Sequence, residues 1–332
     1  MSITAEALED LLRGDLDSIV ADLIRFYGLK YERDRPDLSD PLLRWLDFTF
    51  RFVEPKPRPV LRTQCFSASL SPEAQRGMEA FEALSMAGGD LNRFQGAGII
   101  RWHDVSGKKN AKRTDQLWAD WGILHFHLTD QPIAPGQCFG ERCDRLLYAI
   151  VTTDAVLAID VRDHGAFADR DLVERALQSW PALFKAMSRT GVSLQQDISA
   201  EDRRKLRLSG INVVDIVVDG RAYLPPGMGL STAGTSNHVG ETADFIRRAS
   251  RMLCQSLASD TPFVPPSISG EPHRLFITRQ GLALHAERDT FTHLLPRSEA
   301  PNASAWSKAH RLVLPDWALA RVAPELPSLD AP

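Results

Sequence analysis

The segment 118–129, WADWGILHFHLT, followed by LLYAIV at 146–151 and VLAIDV at 156–161, decides the fold class. From about Ile99 the apolar spacing changes from helical to alternating, and 122–128, 146–151 and 156–161 each read as a short strand. Thr152-Thr153-Asp154-Ala155, between the second and third runs, is a polar break of the length a β-hairpin needs. These two strands are therefore expected to be adjacent and antiparallel, in a sheet that also holds the first.

Upstream, Leu8, Leu12, Leu16, Ile19, Val20, Leu23 and Tyr27 fall near helical spacing and predict an amphipathic helix. Ser39-Asp40-Pro41 and Ser71-Pro72-Glu73 each set a capping residue before Pro in a first helical turn. They predict one helix over 41–53 and another from 72 to Gly88-Gly89, where paired glycines accept the helix-ending conformation. Downstream, Asp171 and Glu174 have capping-box spacing, and further helical stretches are expected over 181–191 and 199–210. Asp219-Gly220 is a strong hairpin turn between 213–218 and 221–224, and Ala243, Ile246, Ala249, Leu253 and Leu257 share one helix face. A final hairpin is expected around Arg279-Gln280-Gly281. The expected class is α+β: a helical region 1–90, a sheet-containing candidate catalytic domain 91–195, a C-terminal α/β region 196–295 and a loosely packed tail 296–332.

A chain of 332 residues with 43% hydrophobic and 25% charged residues has ample material for two or three cores. No apolar run approaches the roughly 20 residues that cross a bilayer, and the acidic start is unlike a signal peptide, so a cytoplasmic protein without membrane contact is expected. Cys65, Cys138, Cys143 and Cys254 form no disulfide framework. The net charge of −4 argues against general phosphate binding by the whole molecule. It leaves the basic stretch 91–115, with Lys108 and Lys109, as a local candidate for contact with an RNA backbone.

Alternation along 122–128 sends Leu124, Phe126 and Leu128 to one face and His125 with His127 to the other. Two such imidazoles stand about 7 Å apart, near enough to act on one substrate. The next strand brings Arg145 and Tyr148, and the third Asp160, Arg162 and His164. Cleavage of RNA through its own 2′-hydroxyl needs a base, an acid and a cation at the phosphate, which His, Tyr and Arg supply without a metal or other cofactor. Each residue also has a plainer use: Tyr148 as packing, Asp160 as partner of Arg145 or Arg162, His164 as a turn residue.

The succession WGILHFHL, a turn-rich spacer, DRLLYAIVTTDAVLAIDVRDH and GAF resembles the hairpin core of RelE-like toxins, within the wider barnase and RelE-like nucleases, over about residues 115–168. The resemblance implies metal-independent RNA cleavage at His125, His127, Arg145, Tyr148, Arg162 and His164, and an inhibitory antitoxin-like partner. The length, the acidic balance and histidines where that family commonly has arginines are departures from it. His127-Leu128-Thr129 is also similar to one element of the two-histidine phosphoesterases, but no second His-x-Ser/Thr accompanies it.

His125, His127, Cys138 and Cys143 have the ligand types of a zinc site, yet the Cys138–Cys143 loop is wide for a knuckle, so no stoichiometric zinc is expected. Gly227–Gly234 lacks the ending of a P-loop and the dinucleotide spacing, and reads as a connection, with a loop that presents backbone amides to an anion or ligand as the alternative. The expected function is a toxin-like endoribonuclease. In it His125 or His127 is the base, His164 or Tyr148 the acid, and Arg145 or Arg162 the phosphate clamp, with Lys108 and Lys109 on the RNA backbone. The rival expectation is a non-catalytic ligand- or partner-binding regulatory protein.

Overall fold

The computed structural model describes residues 3–29, 40–100, 115–131, 139–140, 143–163, 170–189, 198–199, 201–202, 205–206, 216–231, 234–259, 272–286 and 292–327. In chain order the elements are α1 Ala5–Phe26, α2 Pro41–Arg51, β1 Val60–Arg62, α3 Pro72–Met86, α4 Gln116–Trp121, β2 Ile123–His127, β3 Arg145–Val151, β4 Val156–Asp163 and α5 Arg170–Ser179. They continue with β5 Ser188–Arg189, β6 Ile216–Val218, β7 Arg221–Tyr223, α6 Asn237–Ala258, β8 His273–Thr278, β9 Gly281–Ala286, β10 Thr292–Leu294, α7 Ala305–Val313 and α8 Asp316–Val322. The class is α+β, as expected. Among the described residues no helix is long and apolar enough to cross a membrane.

Two compact units result, one of residues 50–238 and one of 1–49 with 239–332. This division differs from the expected boundaries near 90 and 195. Changes of period mark where local structure changes, whereas a unit is set by which surfaces bury one another, and α1 packs on β8 from the far end of the chain.

In the unit 50–238 the main sheet has the order β1-β4-β3-β2, with β2, β3 and β4 antiparallel. The three predicted strands are thus neighbours in one sheet. The fourth, β1, was not expected; it follows a Pro-rich run and pairs in parallel with β4. One face carries Phe126, which packs on Phe81 of α3 at a ring distance of 5.1 Å, and Phe81 in turn meets Phe94 at 5.2 Å. Close approach makes a glycine necessary at Gly77 in α3, where a Cβ would stand 2.5 Å from the carbonyl carbon of Leu128. The opposite face, with Ile123, Leu146, Tyr148, Ile150, Leu157 and Ile159, is covered by Leu117 and Trp121 of α4, by Leu172, Val173, Ala176 and Leu177 of α5, and by Ile216, Val218 and Tyr223. Both faces are therefore core, and the one bearing the histidines is not the solvated face that simple alternation implies. A bulge between Tyr148 and Ala149 breaks the β3/β4 register and leaves Ile159 without a cross-strand partner.

Gly122, at φ 69°, ends α4 in the left-handed conformation and turns the chain into β2. The stretch after Pro181, expected to be helical, forms turns, a single 3-10 turn and the two-residue β5, which completes the sheet β5-β7-β6. Most of the expected helix 199–210 lies outside the described residues.

In the other unit, the order β10-β9-β8 extends the predicted last hairpin. Asp15 of α1 accepts from Arg274 Nη2 at 2.6 Å and from the Leu275 amide at 2.8 Å. Tyr27, Trp45, Phe48 and Trp317 form an aromatic cluster, and burial pushes the Tyr27 phenol up to about 12. The expectation of a loose tail from Pro296 is corrected: it folds into α7 and α8 and buries Trp306, Ala309, Val313, Leu314, Ala318 and Val322. The indole of Trp45 donates to the Val313 carbonyl at 2.6 Å.

Candidate functional site

The histidines sit where β2 meets α4. Asp115 precedes α4 and accepts from the Leu117 amide at 2.8 Å and the Trp118 amide at 3.3 Å, an ordinary N-cap. Its other oxygen lies 2.8 Å from Nδ1 of His125, a half-buried ring. Burial works against the Asp115 charge, but the His125 hydrogen bond and charge, with the two capping amides, outweigh it and hold the carboxyl below its usual range. An ionised carboxylate only accepts, so Nδ1 of His125 carries a proton and donates it to Asp115.

His127 is held differently. Its Nδ1 stands 3.0 Å from the carbonyl oxygen of Cys143, which also only accepts, so this ring too carries its proton on Nδ1. The ring is 5% exposed, and Gly96 faces it: a Cβ there would lie 3.5 Å from Nε2. The two ring centroids are 6.3 Å apart. On α4, the Trp118 ring lies under the Arg51 guanidinium at 5.8 Å.

The remaining expected residues part company with this pair. Tyr148 pairs across the sheet with His125, its ring centroid 6.4 Å away, but it is wholly buried within the core. Arg162 forms an ion pair with Asp160 at 2.8 Å and donates to Asp171 at 2.6 Å. Asp160, 1% exposed, also accepts from the Ser67 amide and hydroxyl and meets Arg175 at 3.1 Å, so this cluster ties β4 to α5 and to the segment after β1. Arg145 pairs with Asp163 at 3.0 Å on the surface. It lines an open cleft of about 560 Å³ with Ser71, Glu73, Thr129, Asp144 and Asp163, whose carboxylates outnumber it. As phosphate clamps, Arg145 and Arg162 are therefore both occupied by carboxylates. Lys108, Lys109 and His164 lie outside the described residues, as does Cys138.

Among the described residues no three His, Cys, Asp or Glu side chains are placed to share a metal ion. The Cys143 thiol donates to the Arg145 carbonyl at 2.9 Å, and burial raises it above the ordinary thiol value, which favours the protonated form over a thiolate ligand. The Thr129 hydroxyl accepts from the Gln131 amide, closing the turn after β2.

Sequence reasoning missed Asp115 and Gly96. Asp115 had a signal: an Asp directly before Leu117, Trp118 and Trp121 is a helix N-cap, and α4 leads at once into the histidine strand. Gly96 had none, because its place beside His127 follows from tertiary packing. Comparison with protein-family models, curated proteins and solved structures finds no match.

Proposed function

We propose that this protein is a toxin-like, metal-independent endoribonuclease whose proton transfers are made by His125 and His127. The observation that carries the reading is the oriented pair itself. Two imidazoles with centroids 6.3 Å apart are each oriented through Nδ1, His125 by Asp115 and His127 by the Cys143 carbonyl, and in this reading the pair exchanges protons with the substrate. A base and an acid at that separation suit attack by a 2′-hydroxyl with departure of the 5′-oxygen, and together they supply both proton transfers. The resemblance to RelE-like toxins at 115–168 supports RNA as the substrate. Tyr148 and Arg162 leave the proposed catalytic set because their groups are committed to the core and to the Asp160 cluster.

A second reading, a non-catalytic ligand- or partner-binding protein, is favoured by the burial of Tyr148 and the near-burial of His127. Expression in a bacterial host separates the two. The nuclease reading expects growth arrest that His125→Ala/His127→Ala relieves at equal protein level; growth unaffected by the wild-type chain refutes it.

A further inference from the structure

We propose that β1 is a self-association edge: two copies of this chain pair their β1 strands antiparallel, centred on Leu61, and so join their main sheets into one.

Strand β1 ends the sheet order β1-β4-β3-β2 and pairs with β4 alone. The Val156 amide donates to the Pro59 carbonyl at 2.9 Å, and the Thr63 amide donates to the Ala158 carbonyl at 3.1 Å. Backbone groups of successive strand residues point to alternate sides, so Pro59, Leu61 and Thr63 face β4, whereas Val60 and Arg62 turn their N–H and C=O groups outward. Among the described residues nothing bonds those outward groups. The open stretch is bounded at both ends. Arg58 is already taken by Ser85 of α3, whose carbonyl accepts from its amide at 2.9 Å and whose hydroxyl donates to its carbonyl at 2.8 Å. Beyond Thr63 the chain turns away at 64–65, closed by the Phe66 amide on the Thr63 carbonyl at 3.2 Å.

Exposed edges are commonly blunted by Pro, a bulge or an inward charge. Here Pro59 falls on the side facing β4 and removes no donor from the outer edge, the β1/β4 register runs without a shift, and the central side chain is Leu61, 46% exposed.

The occupant follows from the pattern of free groups. A two-fold axis through Leu61 sets Val60 opposite Arg62 of the second copy, and Arg62 opposite its Val60. Each of these pairs exchanges N–H and C=O in both directions, while Leu61 meets its own counterpart in the closer, non-hydrogen-bonded position. The edge is thus complementary to itself, as a closed two-fold contact requires. Charge permits the pairing: Arg62 donates to Glu82 of α3 from Nε at 3.0 Å and from Nη2 at 2.6 Å, so each copy brings its own counter-charge to the edge. Three residues a side fall far short of the roughly 800 Å² per partner of a standard interface, so the association is weak and concentration-dependent. Strand β2, with His125 and His127, lies at the opposite end of the sheet, and the inference is independent of the nuclease reading.

Sedimentation equilibrium of the full-length protein over rising concentration tests the proposal. The wild type is expected to shift from monomer toward twice that mass. Leu61→Lys sets two ammonium groups against each other at the centre of the pair, and should weaken association at least about tenfold with an unchanged circular dichroism spectrum. A thiol reads the register. In a Cys65→Ser chain, which lacks the exposed native thiol nearby, Leu61→Cys should oxidise to a covalent dimer, since the paired Cα atoms stand about 4.5 Å apart, whereas Arg62→Cys should form no more dimer than the Cys65→Ser parent. If Leu61→Lys loses its fold, the thiol comparison decides alone. A wild-type chain that stays monomeric at every concentration overturns the proposal. So does association that a folded Leu61→Lys leaves unchanged, or equal cross-linking through positions 61 and 62.

Discussion

His310 gives the sharpest physical prediction outside the candidate site. It lies fully buried in the unit formed by the two ends of the chain, and its Nε2 accepts from the Leu282 amide of β9 at 2.8 Å. Its Nδ1 stands 3.1 Å from the Pro296 carbonyl, so the ring is neutral with its proton on Nδ1. Burial, aided by the nearby charge of Arg297, lowers its pKa from 6.5 to about 4, against smaller raising effects of the Pro296 and Leu295 backbone. The unfolded chain thus binds a proton near pH 6.5 that the folded chain refuses until about pH 4. Stability from this group is complete above pH 6.5, is lost as the pH falls, and levels off below about 4. At about 1.4 kcal/mol per pH unit the whole loss is roughly 3 kcal/mol. Hydrogen exchange of the β9 amides, corrected for intrinsic rates, reads this loss directly. His310→Gln offers Leu282 an acceptor without a titrating ring, so its β9 protection should be lower at pH 7 and flatter between pH 6.5 and 4. An equal fall in protection in wild type and variant over that interval would refute the argument.

Phe126→Ala removes a wholly buried ring from between α3 and the sheet, and should cost about 3–5 kcal/mol in urea unfolding, with activity falling only as folded protein is lost. Asp160→Asn leaves Arg162 and Arg175 without their shared buried charge; since both guanidiniums keep solvent access, a loss of about 3 kcal/mol is expected, and an unchanged melting curve would show the cluster to be ornamental. Gly227→Ala would set a Cβ 2.0 Å from the Ala119 carbonyl oxygen of α4, so overpacking should destabilise the chain by about 1–3 kcal/mol by chemical denaturation.

The elements that could be read from sequence are those whose cause is local. Strands β2 to β4 follow from alternation and a four-residue polar break, and α3 from Ser71, Pro72 and the glycine pair that ends it. Strand β1 was illegible because its partner in β4 lies far along the chain. Trp306, Ala309 and Val313 had helical spacing all along, but Pro301 and Pro315 at either side made the region look like an irregular tail. For the site, alternation correctly put His125 and His127 on one face of β2. It could not show that α4, α5 and β6 cover that face, nor that Arg162 is spent on Asp160, since both facts belong to tertiary packing. The Asp115 contact lay between: its capping role was local, its bond to His125 was not.

The central claim, that His125 and His127 are the proton-transfer groups of a metal-independent ribonuclease, is tested most directly by purified full-length protein and a labelled RNA, with chelator present and with or without ribosomes. Cleavage that chelator does not diminish and that yields 2′,3′-cyclic phosphate ends is expected. His125→Ala/His127→Ala should lower the rate by about 100-fold or more, while the variant folds as the wild type does. No cleavage by the wild type under either condition, or undiminished cleavage by the double variant, would contradict it.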